Sequence, residues 1–131
     1  ELINTKLNIS ELPELWDTKM DNILGISPKN DFKNGILQDV HWPEGLFGYF
    51  PCYTLGALYA AQWAAMIKQT VKDYDEVIEH GDLKTIFNWL DIHIWKKASI
   101  LQTDALTKSA CKGESLNPKY FKNYLEQKFL N

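Results

Sequence analysis

The residues whose types and spacing could do chemistry lie close together in one part of the chain: Gln38, Asp39 and His41, followed by Tyr49 and Tyr53. A histidine and a tyrosine on a rigid segment can both donate hydrogen bonds to one developing oxyanion, as a hydrolytic site requires. The same residues also fit a structural role, with Asp39 capping a turn and His41 hydrogen-bonded in the interior. Spacing alone does not choose between these two interpretations.

No metal site or nucleophile with a standard spacing can be read from the sequence. His41, His80 and His93 form no H-x-x-x-H pair, and there is no HExxH motif. Glu76 lies four residues before His80 and could share a ligand with it, although such a pair is more often a solvated helix end. Cys52 could act with His41 as a nucleophile, but its neighbours are more typical of a small packed residue.

The candidate residues belong to an irregular segment, residues 35–56, in which glycines and prolines alternate with aromatic side chains. The pattern is neither an amphipathic helix nor an alternating strand. Rigid rings on a sharply bending backbone are typical of a shaped binding surface rather than of a solvated loop. We therefore interpret residues 35–56 as a shaped surface that carries the candidate active-site residues.

Helical patterns and start and stop signals occur on both sides of this segment. Ser10 is predicted to cap the first helix and Gly25 to end it, and Asn117 is predicted to cap the last helix, with Pro118 at its first position. The long helix near the middle is expected to be buried through its apolar first half, residues 55–67. No strand alternation of useful length appears, so the predicted fold is all-α, with a single helical domain over residues 1–131. The predicted helices cover residues 10–25, 54–79, 82–98, 103–110 and 118–129.

Charge and hydropathy argue against two classes of partner. The net charge is −3, and its 14 basic and 17 acidic residues are mixed along the chain, so nucleic acid is not an expected partner. The most apolar stretch, residues 53–67, is too short to span a membrane and contains Gln62.

The cysteines and the first residues bear on the cellular compartment and on whether the chain is part of a longer protein. Cys52 and Cys111 are far apart and form no CxxC pair, which favours reduced thiols and a cytoplasmic protein, although one disulfide stays open. The first residues show no signal peptide. The chain begins at Glu1 without an initiator methionine, and we expect it to be a piece of a longer protein.

Two adjacent motifs carry a resemblance to a known family. Residues 35–42, GILQDVHW, resemble the GxxQDxHW signature of the thermostable-carboxypeptidase-1 family of metallocarboxypeptidases. Residues 45–56, GLFGYFPCYTLG, resemble its GxFGYFPTYxLG run, with Cys52 in place of the usual threonine. Further matches at residues 11–16 and 113–129 extend the resemblance over essentially the whole chain.

The resemblance implies a longer, mostly helical and usually homodimeric enzyme that removes single residues from peptide C-termini with zinc or cobalt. In that family an HExxH helix and a later glutamate hold the metal, and an arginine receives the substrate carboxylate. This sequence has no HExxH motif. We therefore expect a C-terminal fragment, a helical subdomain with no metal ligands or cofactor of its own, inactive without the missing N-terminal catalytic portion.

The resemblance also suggests roles for the signature residues. His41 is expected to hydrogen-bond the tetrahedral intermediate or the substrate carboxylate. Tyr53, with Tyr49 as second choice, would stabilise the oxyanion. Gln38 and Asp39 would orient His41 or contact the substrate backbone. The expected substrate-binding residues are Gln38, Asp39 and Trp42.

A second interpretation belongs to a different class of function. The chain could be a helical interaction or remnant domain that keeps the fold without the chemistry and uses its aromatic segment to bind a protein partner. Whichever applies, we expect the exposed aromatic surface to make the isolated chain a homo-oligomer or to leave the segment disordered. Under the enzymatic interpretation the partners are the N-terminal portion and a peptide substrate.

Overall fold

The computed structural model describes residues 4, 6–26 and 31–130, which fall into two compact units that divide after Tyr49. All regular elements in these residues are helical and none is a β-strand, which confirms the predicted all-α fold. Shorter elements are the 3₁₀ turns Ile9–Glu11 and Ile36–Gln38 and the π-helical turn Asp91–Trp95. The α-helices are α1 Leu12–Leu24 in the first unit, then α2 Pro51–Thr70, α3 Tyr74–Glu79, α4 Leu83–Leu90, α5 Thr103–Ala110 and α6 Lys119–Phe129 in the second.

The start of the first helix differs from the prediction. The backbone N–H of Asn8 donates to Oε2 of Glu11 at 2.8 Å, and Ser10 lies inside the 3₁₀ turn that precedes α1. Asn8 and Glu11 form a capping box, so the capping residue is Asn8, two residues before the predicted Ser10. The end of α1 is as predicted, since Gly25 follows it in a left-handed conformation.

The predicted helix over residues 54–79 is interrupted. It begins earlier, at Pro51, so the last residues of the segment 35–56 are helical. It stops at Thr70 because Val71 is extended, with ψ of 114°, and Asp73 is left-handed, with φ of 56°. Aspartate tolerates that conformation better than most residues, which allows a second, short helix to begin directly after it.

The burial of α2 also differs from the prediction. Leu55 is 44% exposed, whereas Gln62, Met66 and Ile67 are buried. The buried residues lie in the later turns, which are the part of α2 that reaches the hydrophobic core of the second unit. The apolar pattern therefore shows which residues can be buried, but the packing of neighbouring elements determines which residues are buried. The core consists of Met66, Ile67, Trp89, Ile94, Leu106, Ala110 and Cys111.

A buried glutamine joins α2 to the segment before α6. Nε2 of Gln62 donates to the Ser115 carbonyl at 3.1 Å, and its Oε1 accepts the Asn117 N–H at 2.8 Å. The Gln62 side chain is fully buried, so it satisfies backbone groups that water cannot reach. Oδ1 of Asn117 accepts the N–H of Lys119 at 3.0 Å, which agrees with the predicted capping role of Asn117.

Both cysteines are free thiols. Cys52 is exposed in the first turn of α2, and Cys111 is buried in the core. Burial raises the pKa of the Cys111 thiol, so this group stays protonated and acts as a small apolar side chain. Among the helices of the described residues, none has the length and apolar character needed to cross a membrane.

Candidate functional site

The backbone that carries the candidate residues begins at a tightly packed glycine. A Cβ atom at Gly35 would lie 2.7 Å from the carbonyl oxygen of Asp31, closer than carbon and oxygen can approach. The 3₁₀ turn that follows is closed by a hydrogen bond from Gln38 N–H to the Gly35 carbonyl at 3.1 Å. Glycine therefore permits the close approach from which the chain turns toward Asp39.

The carboxylate of Asp39 is the centre of the site. Its Oδ1 atom accepts the backbone N–H of His41 at 2.8 Å and lies 2.8 Å from the ring nitrogen Nδ1 of the same residue. The side chain of Trp42 also hydrogen-bonds this carboxylate. The Asp39 side chain is only 4% exposed, so these donors take the place of water.

These contacts fix the ionisation of Asp39. Burial opposes its ionisation, but the hydrogen bonds from the backbone and ring of His41 and from Trp42 outweigh burial and lower the pKa of the Asp39 carboxyl. The anion can only accept, so Nδ1 of His41 must carry a proton to bond it. In the neutral ring Nε2 is then an acceptor, and donation from Nε2 requires the imidazolium form.

Tyr49 stacks on the imidazole. The ring centroids of His41 and Tyr49 lie 5.2 Å apart with planes inclined by 21°. The chain between them turns back on itself, since Leu46 N–H donates to the His41 carbonyl at 2.8 Å and Gly48 has φ of 74°. The positive φ favours glycine at this position and brings Tyr49 over His41. Tyr49 itself remains 41% exposed.

Trp42 joins this cluster to α1. Its ring meets Trp16 edge to face, with centroids 6.5 Å apart, and Phe47 at 6.2 Å. Beside Trp42 the apolar face of α1 encloses a cavity of about 310 Å³. The sequence analysis did not predict the contact between Asp39 and Trp42, although an acceptor three residues before an indole N–H was the available signal.

The structure therefore brings four of the six candidate residues into contact. Asp39, His41, Trp42 and Tyr49 form one cluster in the first unit. Gln38 is exposed at the end of the 3₁₀ turn beside them. The remaining candidate, Tyr53, belongs to the second unit, where it is 58% exposed in the first turn of α2.

The alternative chemical sites gain no support in the described residues. Within residues 4, 6–26 and 31–130, no group of three or more His, Cys, Asp or Glu side chains could hold a metal ion. His80 directs Nδ1 to the backbone carbonyl of Glu76 at 2.8 Å, which is the solvated helix end considered above. The ligand set for a catalytic metal is thus not found in this part of the chain.

Comparison with known proteins assigns a family. The profile described as Carboxypeptidase Taq (M32) metallopeptidase matches residues 1–129. The chain is 36% identical over 129 residues to Thermostable carboxypeptidase 1 of Pyrococcus furiosus and 39% identical over 135 residues to Carboxypeptidase 1 of Bacillus subtilis. The alignments include 98% and 99% of this chain, respectively, but only 26% of each relative. The chain therefore spans about a quarter of the length of these relatives.

A solved structure has the same fold. Metallocarboxypeptidase 1 of Trypanosoma cruzi superposes with a TM-score of 0.91 at 37% identity. The match covers 99% of this chain and 27% of that one. The helical arrangement described above is therefore similar to one part of a much longer metallocarboxypeptidase.

Proposed function

This chain belongs to the Carboxypeptidase Taq (M32) metallopeptidase family, and on that premise we propose that it forms one wall of the substrate cleft of a metal-dependent carboxypeptidase. The reaction is hydrolysis of the C-terminal peptide bond of a peptide. The observation that carries the proposal is the ordered cluster in which Asp39 holds His41 at 2.8 Å and Tyr49 stacks on its ring. The chain is proposed to be the C-terminal portion of the enzyme.

Each side chain of the cluster has a role that its geometry suits. Asp39 holds His41 through Nδ1, so Nε2 is the nitrogen presented to substrate, and in the imidazolium form it donates to the tetrahedral intermediate or the substrate carboxylate. The hydroxyl of Tyr53, or of Tyr49, donates to the same developing oxyanion. Asp39 is a positioning residue in this scheme.

The other signature residues are proposed to bind the peptide. Gln38 is exposed and presents an amide that can pair with substrate backbone. Trp42, a member of the cluster, offers an apolar surface, since its indole is fixed through Asp39. Neither residue takes part in bond breaking.

The metal of the family would come from outside this chain. The described residues do not provide a ligand set, so we propose that zinc or cobalt is bound by the part of the family's polypeptide that this chain does not match. The chain alone is then inactive, and activity requires assembly with that part.

The test is complementation in two pieces. The complementary polypeptide is Carboxypeptidase 1 of Bacillus subtilis without the stretch that this chain matches. Hydrolysis of a blocked dipeptide is measured with added zinc or cobalt for this chain, for the complementary polypeptide and for their mixture. We expect activity in the mixture only, and a loss on the order of a hundredfold for His41→Ala or Tyr53→Phe.

The matched control is His80→Ala, which removes an exposed histidine at a helix end and should leave the rate unchanged. Activity in the mixture that survives His41→Ala would contradict the assigned roles. An inactive mixture whose two pieces demonstrably associate would favour the interaction-domain function, for which Phe47, 54% exposed, supplies an apolar contact.

A further inference from the structure

One face of α1 is apolar and largely uncovered. None of the residues of this 13-residue helix is fully buried, and Ile23 and Leu24 are 74% and 58% exposed. With Trp42 this face encloses the cavity of about 310 Å³. A contiguous apolar surface of this kind marks an interaction site in a folded protein. We call this surface, lined by Leu12, Leu15, Trp16, Met20, Ile23 and Trp42, the α1 groove.

We propose that the α1 groove binds the apolar face of a helix from the part of the family's polypeptide that this chain does not match. The inference rests on the proposed function, since it names the partner that completes the cleft. The length of chain outside the structure supports this occupant: the Trypanosoma cruzi enzyme has the same fold over only 27% of its chain. Most of such a polypeptide is therefore available to cover the groove.

The dimensions of the groove suit a helix. From Leu12 to Leu24, α1 extends about 18 Å at 1.5 Å per residue, which matches about three turns of a partner helix. Two helices in contact pack with axes about 8–10 Å apart, so the partner's apolar side chains reach the cavity beside Trp42. A single substrate side chain would fill only a part of this length.

The charge of the lining specifies the partner further. Lys19 is exposed and is the charged residue in the lining of the cavity. A partner helix with an acidic residue at the edge of its apolar face would place that carboxylate against the ammonium. The occupant is therefore an amphipathic helix, not a uniformly apolar one.

Occupation of the groove also bears on the catalytic cluster. Trp42 forms a wall of the groove and hydrogen-bonds the Asp39 carboxylate that holds His41. A helix packed on Trp42 would restrict its ring and with it the position of Asp39. The groove thus links association of the two pieces to the geometry of the site.

The experiment places one charge in the groove. Ile23→Glu puts a carboxylate in the apolar interface, whereas Thr18→Glu puts the same charge on an exposed position of α1 outside the lining. Ile23 is already 74% exposed, so its replacement should leave the chain folded, which circular dichroism checks. We expect Ile23→Glu to weaken binding of the complementary polypeptide by at least about tenfold, with Thr18→Glu unchanged.

A photoreactive residue then identifies the occupant. Benzoylphenylalanine at position 23 should cross-link to one helix of the complementary polypeptide, and the same group at position 21, across α1, should not. Cross-links to a second copy of this chain, or equal effects of the two glutamate variants, would overturn the proposal. So would failure of the two pieces to associate.

The two proposals can fail separately. Association that Ile23→Glu weakens, in a mixture without peptidase activity, supports the groove and refutes the proposed function. The mixture could instead be active, with the same dependence on the concentration of this chain for Ile23→Glu and the unmodified chain. That result supports the proposed function and refutes binding of a helix in the α1 groove.

Discussion

One carboxylate oxygen, Oδ1 of Asp39, binds both the backbone N–H and the ring nitrogen Nδ1 of His41, each at 2.8 Å. The two bonds reach the same residue from two directions, so they fix its backbone and its ring together. All of these atoms lie within three residues of sequence. The orientation of His41 is therefore a property of the local chain and can be measured without a partner.

Asp39→Asn tests this orientation. We expect the ring of His41 in the unmodified chain to carry its proton on Nδ1 when neutral, and the variant to lose that preference because the anionic acceptor is gone. The nitrogen chemical shifts of the neutral imidazole, measured by NMR, report the tautomer. In the complemented enzyme the rate should fall on the order of a hundredfold.

The control is Asp91→Asn, because Asp91 belongs to the second unit, where it pairs with Lys96 at 2.5 Å, whereas the cluster belongs to the first. It should change neither the tautomer nor the rate. A neutral His41 with its proton on Nε2 in the unmodified chain would show that the bond to Asp39 does not form in solution.

Gly35→Ala tests the close approach at the start of the signature. The new Cβ would lie 2.7 Å from the Asp31 carbonyl oxygen, a backbone atom that cannot move aside alone. We expect a loss of about 1–3 kcal/mol in the free energy of unfolding, measured with urea.

A second glycine gives the matched control for that measurement. A Cβ at Gly56 in α2 meets nothing within 4 Å, so Gly56→Ala should be neutral or raise stability by up to about 1 kcal/mol. Equal destabilisation by both substitutions would contradict the packing argument.

Local signals explain what the sequence predicted well. Gly25, Asn117 and the helix over Thr103–Ala110 were identified from caps and periodicity, and the structure agrees. The residues around His41 were named as candidates because they are neighbours in sequence, and their roles stay predictions. Their geometry was left open, since residue types do not say which acceptor a ring nitrogen chooses.

Long-range packing explains what the sequence did not predict. Gln62 was noted only as a polar residue in an apolar stretch, because its partners Ser115 and Asn117 lie more than fifty residues away. Leu55 was expected to be buried, yet it is 44% exposed. Periodicity identifies an apolar face, but only the packed structure shows which part of that face is covered.

Gln62→Leu tests the bridge from α2 to α6. The substitution leaves the Asn117 N–H and the Ser115 carbonyl without partners in a place that water does not reach. We expect a loss of about 2–4 kcal/mol in the free energy of unfolding, since each unsatisfied buried group costs about 1–3 kcal/mol and leucine recovers only a part. Hydrogen exchange should accelerate at the Asn117 amide.

The control for this variant is Gln69→Leu. Gln69 accepts a hydrogen bond from Lys112 at 2.9 Å on the exposed side of α2, so its replacement should change stability by no more than about 0.5 kcal/mol. A Gln62→Leu variant as stable as Gln69→Leu would show that water satisfies the freed groups.

The loss of folding stability at low pH should depend on Glu114. Its carboxylate accepts hydrogen bonds from Tyr120 at 2.7 Å and from Asn117 at 2.6 Å, and it pairs with Lys119 at 2.9 Å. Tyr120 contributes most, followed by Lys119 and Asn117, and together they lower the pKa of Glu114 from 4.5 to about 2. The unfolded chain therefore binds this proton more readily than the folded chain does.

The sign of the effect follows from that difference. The contribution of Glu114 to stability is fully present above the unfolded pKa near 4.5 and is lost as the pH falls through the folded value of about 2. Glu114→Gln should flatten the fall in thermal midpoint between about pH 5 and about pH 2, because glutamine cannot titrate. The control is Glu126→Gln, which removes a longer ion pair with Lys122 at 3.7 Å. In this variant the thermal midpoint should fall with pH as steeply as in the unmodified chain.

An equally steep fall in Glu114→Gln would show that other carboxylates cause the acid sensitivity. Asp39, whose pKa is also lowered, would then be the next residue to substitute.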